Sequence, residues 1–134
     1  MDSVELSVRT GDQPTVVDLT GEVAVFCRER GDGLVSVFVP HATAGVALVE
    51  TGAGSDDDLL DTLARLLPRD DRWGHRHGSF GHGADHVLPA FVSPSLVVPV
   101  VRGRLALGTW QSIVLVDTNV DNLTRTVRLS FLPG

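Results

Sequence analysis

The sequence predicts an α+β domain in which strands outnumber helices, and three observations carry that reading. Short apolar or alternating runs of strand period dominate both ends of the chain. One segment, residues 55–67, shows apolar residues at helical spacing behind an acidic start. Glycine, asparagine and aspartate clusters separate the runs. At 134 residues the chain has the length of one domain, 1–134, with a core of its own. An apolar content of 43% and a mean hydropathy of +0.15 exclude a disordered chain.

Taken in order, VELSV (4–8) alternates as a half-buried strand does, and TGD (10–12) then turns the chain toward a return strand through TVVDL (15–19), which predicts a hairpin. Thr20 is placed to cap a short helix carrying Val23, Phe26 and Cys27, with Gly31 as its stop. LVSVFV (34–39) is nearly continuous in apolar residues, as expected of a central strand covered on both faces, and VALVE (46–50) reads as the next strand. Ser55 followed by Asp56, Asp57 and Asp58 is a helix start, with Ser55 as cap and acids at the positive end of the dipole. Leu59, Leu60, Leu63, Leu66 and Leu67 mark the covered face of that main helix, and Pro68 ends it.

From 69 to 85 the apolar period disappears, leaving a loop longer than a simple connection requires. A short helical turn through His86, Val87 and Leu88 follows. LVVPVV (96–101) is a strand whose proline predicts an edge or a bulge. Arg102, Gly103 and Arg104 form a tight turn, and residues 105–111 lead into the strand SIVLVD (112–117). TRTVRLSF (124–131) alternates to the end.

Composition excludes several classes of function. A net charge of −6 argues against a broad nucleic-acid surface, which needs an excess of basic residues. Every basic residue except histidine is arginine, so neither a Schiff-base lysine nor a Walker lysine exists. No apolar run reaches the ~20 residues of a membrane span, and the start MDSVE lacks signal-peptide character. The expectation is a soluble, cytoplasmic protein without membrane or nucleic-acid partners. Cys27, the single cysteine, reads as a small buried apolar side chain.

Chemistry concentrates in WGHRHGSFGHGADH (73–86), which holds four of the five histidines. Imidazole titrates near neutral pH and is the commonest nitrogen ligand for divalent metals. His41, which opens HATAG (41–45) just past a strand, is the fifth. His41, His75 and His86, with Glu50 or Asp85, would supply a three-nitrogen site with an open position. Spacing alone does not decide between this and loop imidazoles, since neither a His-Glu-x-x-His helix nor a Cys-x-x-Cys pair is present. Arg104, with backbone N–H groups at Gly108 and Thr109, is suited to phosphate. Trp110 reads as a core anchor ahead of a stacking platform for an aromatic ring, and Gln111 as either a ligand-orienting group or a backbone partner.

HATAG followed by Glu50, His75 followed eleven positions later by His86, and GRLALGTWQ (103–111) together closely resemble the YjbQ family. Asp18-Leu19-Thr20 and Arg125 extend the match over nearly the whole chain. The resemblance implies a β-sandwich-like α+β fold of mixed sheets, with one main covering helix and one or two short ones, assembled as a homotrimer. It also implies a divalent metal, zinc or magnesium, at His41, His75 and His86, with the acid at Glu50. His77 and His82 are expected not to share equally in that metal, and the sequence leaves open whether they join the site.

Three functions follow. One is the secondary thiamine-phosphate synthase activity described for some members, joining a pyrimidine diphosphate to a thiazole phosphate with pyrophosphate leaving; here Glu50, Arg104 and Gln111 would act and Gly108, Thr109 and Trp110 would bind the small phosphorylated molecule. The second is a metal-dependent hydrolase with Glu50 or Asp85 as base. The third is a trimeric metal- or ligand-binding module without turnover.

Overall fold

Side-chain alternation sets the strands of the larger of two antiparallel sheets in the computed structural model, which describes residues 1–134. Its strands are β1 (Asp2–Arg9), β3 (Gly33–Phe38), β5 (Ser95–Val101), β6 (Arg104–Leu105) and β8 (Thr124–Pro133), in the spatial order β1-β8-β3-β5-β6. The smaller sheet runs β2-β7-β4, from β2 (Thr15–Asp18), β7 (Ser112–Asp117) and β4 (Ala44–Val49). Three short helices complete the fold: α1 (Thr20–Cys27), α2 (Ser55–Leu66) and α3 (Gly83–Val87), the last running into a 3₁₀ turn at Leu88–Ala90. This is the α+β architecture that the sequence predicts, with both sheets antiparallel throughout.

Period-two burial is clearest in β8, where Arg125, Val127, Leu129 and Phe131 point inward while Arg128 is exposed. Val127, Leu129 and Phe131 meet Val35 and Val37 of β3, Val98 and Val100 of β5, and Leu19, Val23 and Cys27 from the start and body of α1 in the main core. Burying each such Val or Leu side chain contributes about 1.5–3 kcal/mol. A second, smaller core beneath α2 joins Leu63 and Leu67 to Ala84, Leu88, Val92, Val114 and Val116. The leucine stripe of α2 therefore faces inward at Leu63 and Leu67, as its spacing predicts, whereas Leu66 lies on the solvent side.

The strand covered on both faces is β7, not β3. Ile113 and Leu115 enter the main core while Val114 and Val116 enter the smaller one. In β3 only alternate residues are buried, and Leu34 and Phe38 remain 42% and 41% exposed. The apolar run at 34–39 thus has one covered face within the chain.

Local hydrogen bonding corrects three further expectations. β1 and β2 do not form a hairpin: β1 pairs with β8 and β2 with β7, because the N–H groups of Thr10 and Gly11 are drawn to the Leu123 carbonyl. Thr20 does not cap α1; its Oγ1 accepts the Ile113 N–H at 2.8 Å, and Asp18 Oδ1 instead takes the Thr20 N–H at 2.9 Å. At α2 the half-in residue is Gly54 in the left-handed region, whose carbonyl receives the Asp58 N–H, so Ser55 is already helical.

Candidate metal centre

The loop between α2 and α3 folds back on the start of α3, and that return creates the site. Arg69 anchors it: one guanidinium nitrogen donates to both oxygens of Asp85, at 2.7 and 2.6 Å, and the other donates to Ser79 Oγ at 2.7 Å. Trp73 Nε1 donates to the Pro68 carbonyl. Gly83 allows the final approach, since a Cβ there would lie 2.4 Å from Trp73 Cβ and 2.6 Å from the His75 carbonyl. Only a residue without a side chain lets the chain at 73–75 lie against α3.

His75, His82 and His86 converge as a result, with one ring nitrogen from each lying within 4.8 Å of the others. Nε2 of His82 and of His86 are 3.0 Å apart. Two nitrogens bound tetrahedrally at about 2.0–2.1 Å from one zinc ion lie roughly 3.3–3.4 Å apart, so this spacing fits a shared cation. Nε2 of His75 is buried without a hydrogen-bond partner, a costly state for a polar atom. A third metal bond would satisfy it.

Carboxylates stand behind the imidazoles. Nδ1 of His82 lies 2.7 Å from Asp121 Oδ2 and 3.4 Å from Asp85 Oδ2. Asp121 also accepts from Ser79 Oγ at 3.0 Å, and Asp85 from Thr118 Oγ1 at 3.2 Å. Neither distance to His82 Nδ1 is a formed hydrogen bond, and that nitrogen is buried without one, but a carboxylate this close is placed to orient a ligating ring and leave its other nitrogen for the metal. Burial holds the pKa of His75 below the usual 6.5, helped by the neighbouring His77 and His82. The same causes hold His86 down, burial first and then His75, His82 and His77, with Asp85 opposing. Both rings are therefore disposed to be neutral, the form that coordinates.

The sequence-predicted residues divide. His75 and His86 join the cluster, and the third member is His82, not His41. His77, exposed, packs its ring on His75 with a centroid separation of 3.9 Å. His41 lies away from the cluster, where its Nε2 accepts the Thr126 N–H at 2.9 Å beside the buried Arg125 and Asp117. The signal for His82 was its four-residue spacing from His86, which puts both rings on one face of a helical turn. The glycines around it masked that spacing.

Glu50 is exposed at the end of β4. Trp110, read as a core anchor, is 72% exposed. Gln111 is a backbone partner, its Oε1 accepting the Gly108 N–H at 2.9 Å, so that N–H is not free for phosphate. Thr109 lies exposed beside Trp110. Arg104 lines a separate hollow against α1. The cavity beside the histidines, about 460 Å³, is bordered instead by His75, His82, Arg76, Ser79, Trp73 and Phe80, with Asp70 and Asp71 at the same wall.

Comparison with known proteins identifies the family. The family described as "UPF0047 protein YjbQ-like" matches residues 4–134. The chain belongs to the YjbQ/UPF0047 family. A UPF0047 protein of Mycobacterium tuberculosis H37Rv is 66% identical to it over the full length of both chains. One from Archaeoglobus fulgidus is 34% identical, covering 92% of this chain and 97% of its own. Among solved structures, a hypothetical protein from Aeropyrum pernix K1 superposes with a TM-score of 0.90 at 33% identity over all of both chains. A YbjQ-like protein of unknown function from Sulfolobus solfataricus P2 gives 0.91 at 26% identity, covering 99% and 97%. The two-sheet architecture is thus that of the YjbQ/UPF0047 fold. No helix of this member is long and apolar enough to cross a membrane.

Proposed function

We propose that His75, His82 and His86 bind one divalent cation, zinc before magnesium, and that the centre carries out group transfer on a small phosphorylated molecule held in the adjoining cavity. An all-imidazole donor set favours zinc, since magnesium prefers oxygen ligands. When bound, the cation supplies Lewis acidity at a phosphoryl oxygen. Arg76 is the one arginine bordering the same cavity, where the carboxylates Asp70, paired with Arg72, and Asp71 also lie, so the cation carries most of the attraction for the anionic part of the substrate. Trp73 and Phe80 give its organic part an apolar wall.

Transfer with an anionic leaving group is favoured over base-driven hydrolysis by the state of Asp85. That carboxylate is 1% exposed and engaged by Arg69 and Thr118, so it is not free to take a proton from water. Chemistry in which charge on the departing phosphate or pyrophosphate is neutralised has no such need. The thiamine-phosphate synthase reaction implied by the family resemblance is of this kind. The resemblance also supplies the setting, a cytoplasmic homotrimer, and the exposed apolar face bearing Leu34, Phe38, Val97 and Leu132 supports an association surface.

The observation that carries the reading is the convergence of three histidine nitrogens around an unpartnered Nε2. Dialysed protein is assayed for bound zinc, then for thiamine phosphate formation and for phosphate-ester hydrolysis, with and without added metal. One zinc per chain and metal-dependent transfer support the proposal. Transfer unaffected by chelation, or no stoichiometric metal, would sink it.

A further inference from the structure

The only two non-glycine residues with positive φ in the chain, Glu29 at 73° and Arg102 at 49°, come together at one place. That place is a hollow of about 620 Å³ between the end of α1 and the β5–β6 hairpin, sharing no lining residue with the histidine cavity. Val101 pairs with Arg104, so Arg102 and Gly103 are the whole hairpin loop, and positive φ at both marks it as a type I′ turn. Asn, Asp or Gly normally fills the first position of such a turn. An arginine there is strained, because its Cβ crowds the following carbonyl oxygen in the left-handed region. Strain of this kind persists where the surroundings enforce it, and here they do: the Arg102 N–H donates to Asp32 Oδ1 at 2.7 Å and the Gly103 N–H to the Gly31 carbonyl at 2.9 Å.

The strained turn carries Arg102 and Arg104 to the edge of the hollow that Arg28 borders from the end of α1. All three are exposed. Five of the eleven arginines, Arg30, Arg69, Arg72, Arg125 and Arg128, are committed to carboxylates; these three make no ion pair, as is true of Arg9, Arg65 and Arg76, but they alone gather at one hollow. Glu29 is the only acid lining the hollow, so positive charge prevails there although the chain as a whole carries −6. Ala24, Leu105 and Leu107 form its apolar side. Guanidinium groups and aliphatic carbon lining one cavity match a ligand with a compact polyanionic head and an organic body.

We propose that this hollow is a binding site for a small phosphate monoester, with Arg28, Arg102 and Arg104 on the phosphate and Leu105 and Leu107 against the organic group. The site is independent of the metal centre and stands if that centre fails.

The test uses full-length protein treated with chelator, at low ionic strength, with phenyl phosphate as probe and inorganic phosphate as reference, followed by calorimetry or by amide shifts. Expected is saturable binding of phenyl phosphate, weakened by added salt and tighter than inorganic phosphate. Arg102→Asn is the decisive variant, because asparagine suits the turn: the fold should be as stable as wild type or more so, while phenyl phosphate affinity falls about tenfold, as loss of a charge-assisted contact predicts. Arg28→Gln and Arg104→Gln should weaken it likewise, and His82→Ala should leave it unchanged. Absence of saturable binding, wild-type affinity in Arg102→Asn, or loss of binding in His82→Ala would each overturn the proposal.

Discussion

Asp121 Oδ2 sits 2.7 Å from His82 Nδ1 while also receiving the Ser79 hydroxyl, so one carboxylate from the β7–β8 connection lies against a candidate ligand and holds the loop that carries its neighbours. Asp121→Asn should therefore preserve the fold and lower zinc affinity about 10- to 100-fold, the usual cost of losing a carboxylate behind a ligating histidine. Competition against a chromophoric chelator measures it. Unchanged affinity would remove Asp121 from the site.

Among the five histidines, single alanine substitutions should sort cleanly. His75→Ala, His82→Ala and His86→Ala should each abolish stoichiometric zinc, since two remaining nitrogens are a weak chelate. His77→Ala should cost little, and His41→Ala should leave zinc bound. Because burial and neighbouring imidazoles hold His75 and His86 below 6.5, zinc should stay bound as pH falls through that value and be released only at lower pH. Metal content after dialysis over a pH series checks both statements. Release centred at or above 6.5 contradicts the second.

Gly83 offers a purely steric probe of the same centre. Gly83→Ala places a methyl 2.4 Å from Trp73 Cβ, so the loop must move away from α3. A loss of about 1–3 kcal/mol in stability, typical of overpacking, should accompany weakened zinc binding. Urea denaturation and zinc titration of the same sample test the coupling. Weaker stability with wild-type zinc affinity would show that His75 does not depend on this packing.

Much of this was legible in the sequence because it depends on local pattern. The alternation of 124–131 and the leucines of 55–67 correctly gave β8 and α2. What was not legible depends on distant partners. The Thr20 hydroxyl looked like a cap but is claimed by Ile113, ninety-three residues on. Residues 34–39 and 112–117 look equally apolar, and only the position of β7 between two cores decides which is covered twice. At the site, His75 and His86 were found by motif, whereas His82 depends on a helical turn that begins among glycines, where helix propensity is low.

Thr43, Asp117, Asn119 and Arg125 form a buried polar network that the sequence did not disclose. Arg125 donates through Nε to Asp117 Oδ2 at 2.7 Å and through Nη2 to Oδ1 at 3.0 Å, with both side chains 1% exposed. Removing one partner strands the other charge. Arg125→Met should cost about 3–5 kcal/mol, and adding Asp117→Leu should recover much of it, because well-packed apolar replacements of a buried pair are often near neutral. Chemical denaturation of the two variants decides; a double variant no better than the single would show that the remaining polar groups need the pair.

His41 connects that network to pH. Burial first, then the Arg125 charge, hold its pKa below 6.5, with Asp117 opposing. Between that lowered value and 6.5 the unfolded chain binds more protons than the folded one, so stability rises with pH across the window. The contribution is fully present above 6.5 and is lost as pH falls toward the folded pKa. Protonation at Nε2 would also displace the Thr126 N–H that this nitrogen accepts. His75 and His86 act in the same direction, so the comparison must be made in metal-free protein, wild type against His41→Gln, whose amide oxygen can still accept from Thr126. The variant should show a shallower loss of stability below pH 6.5. Denaturation midpoints with the same pH dependence in both proteins would exclude His41 as a contributor.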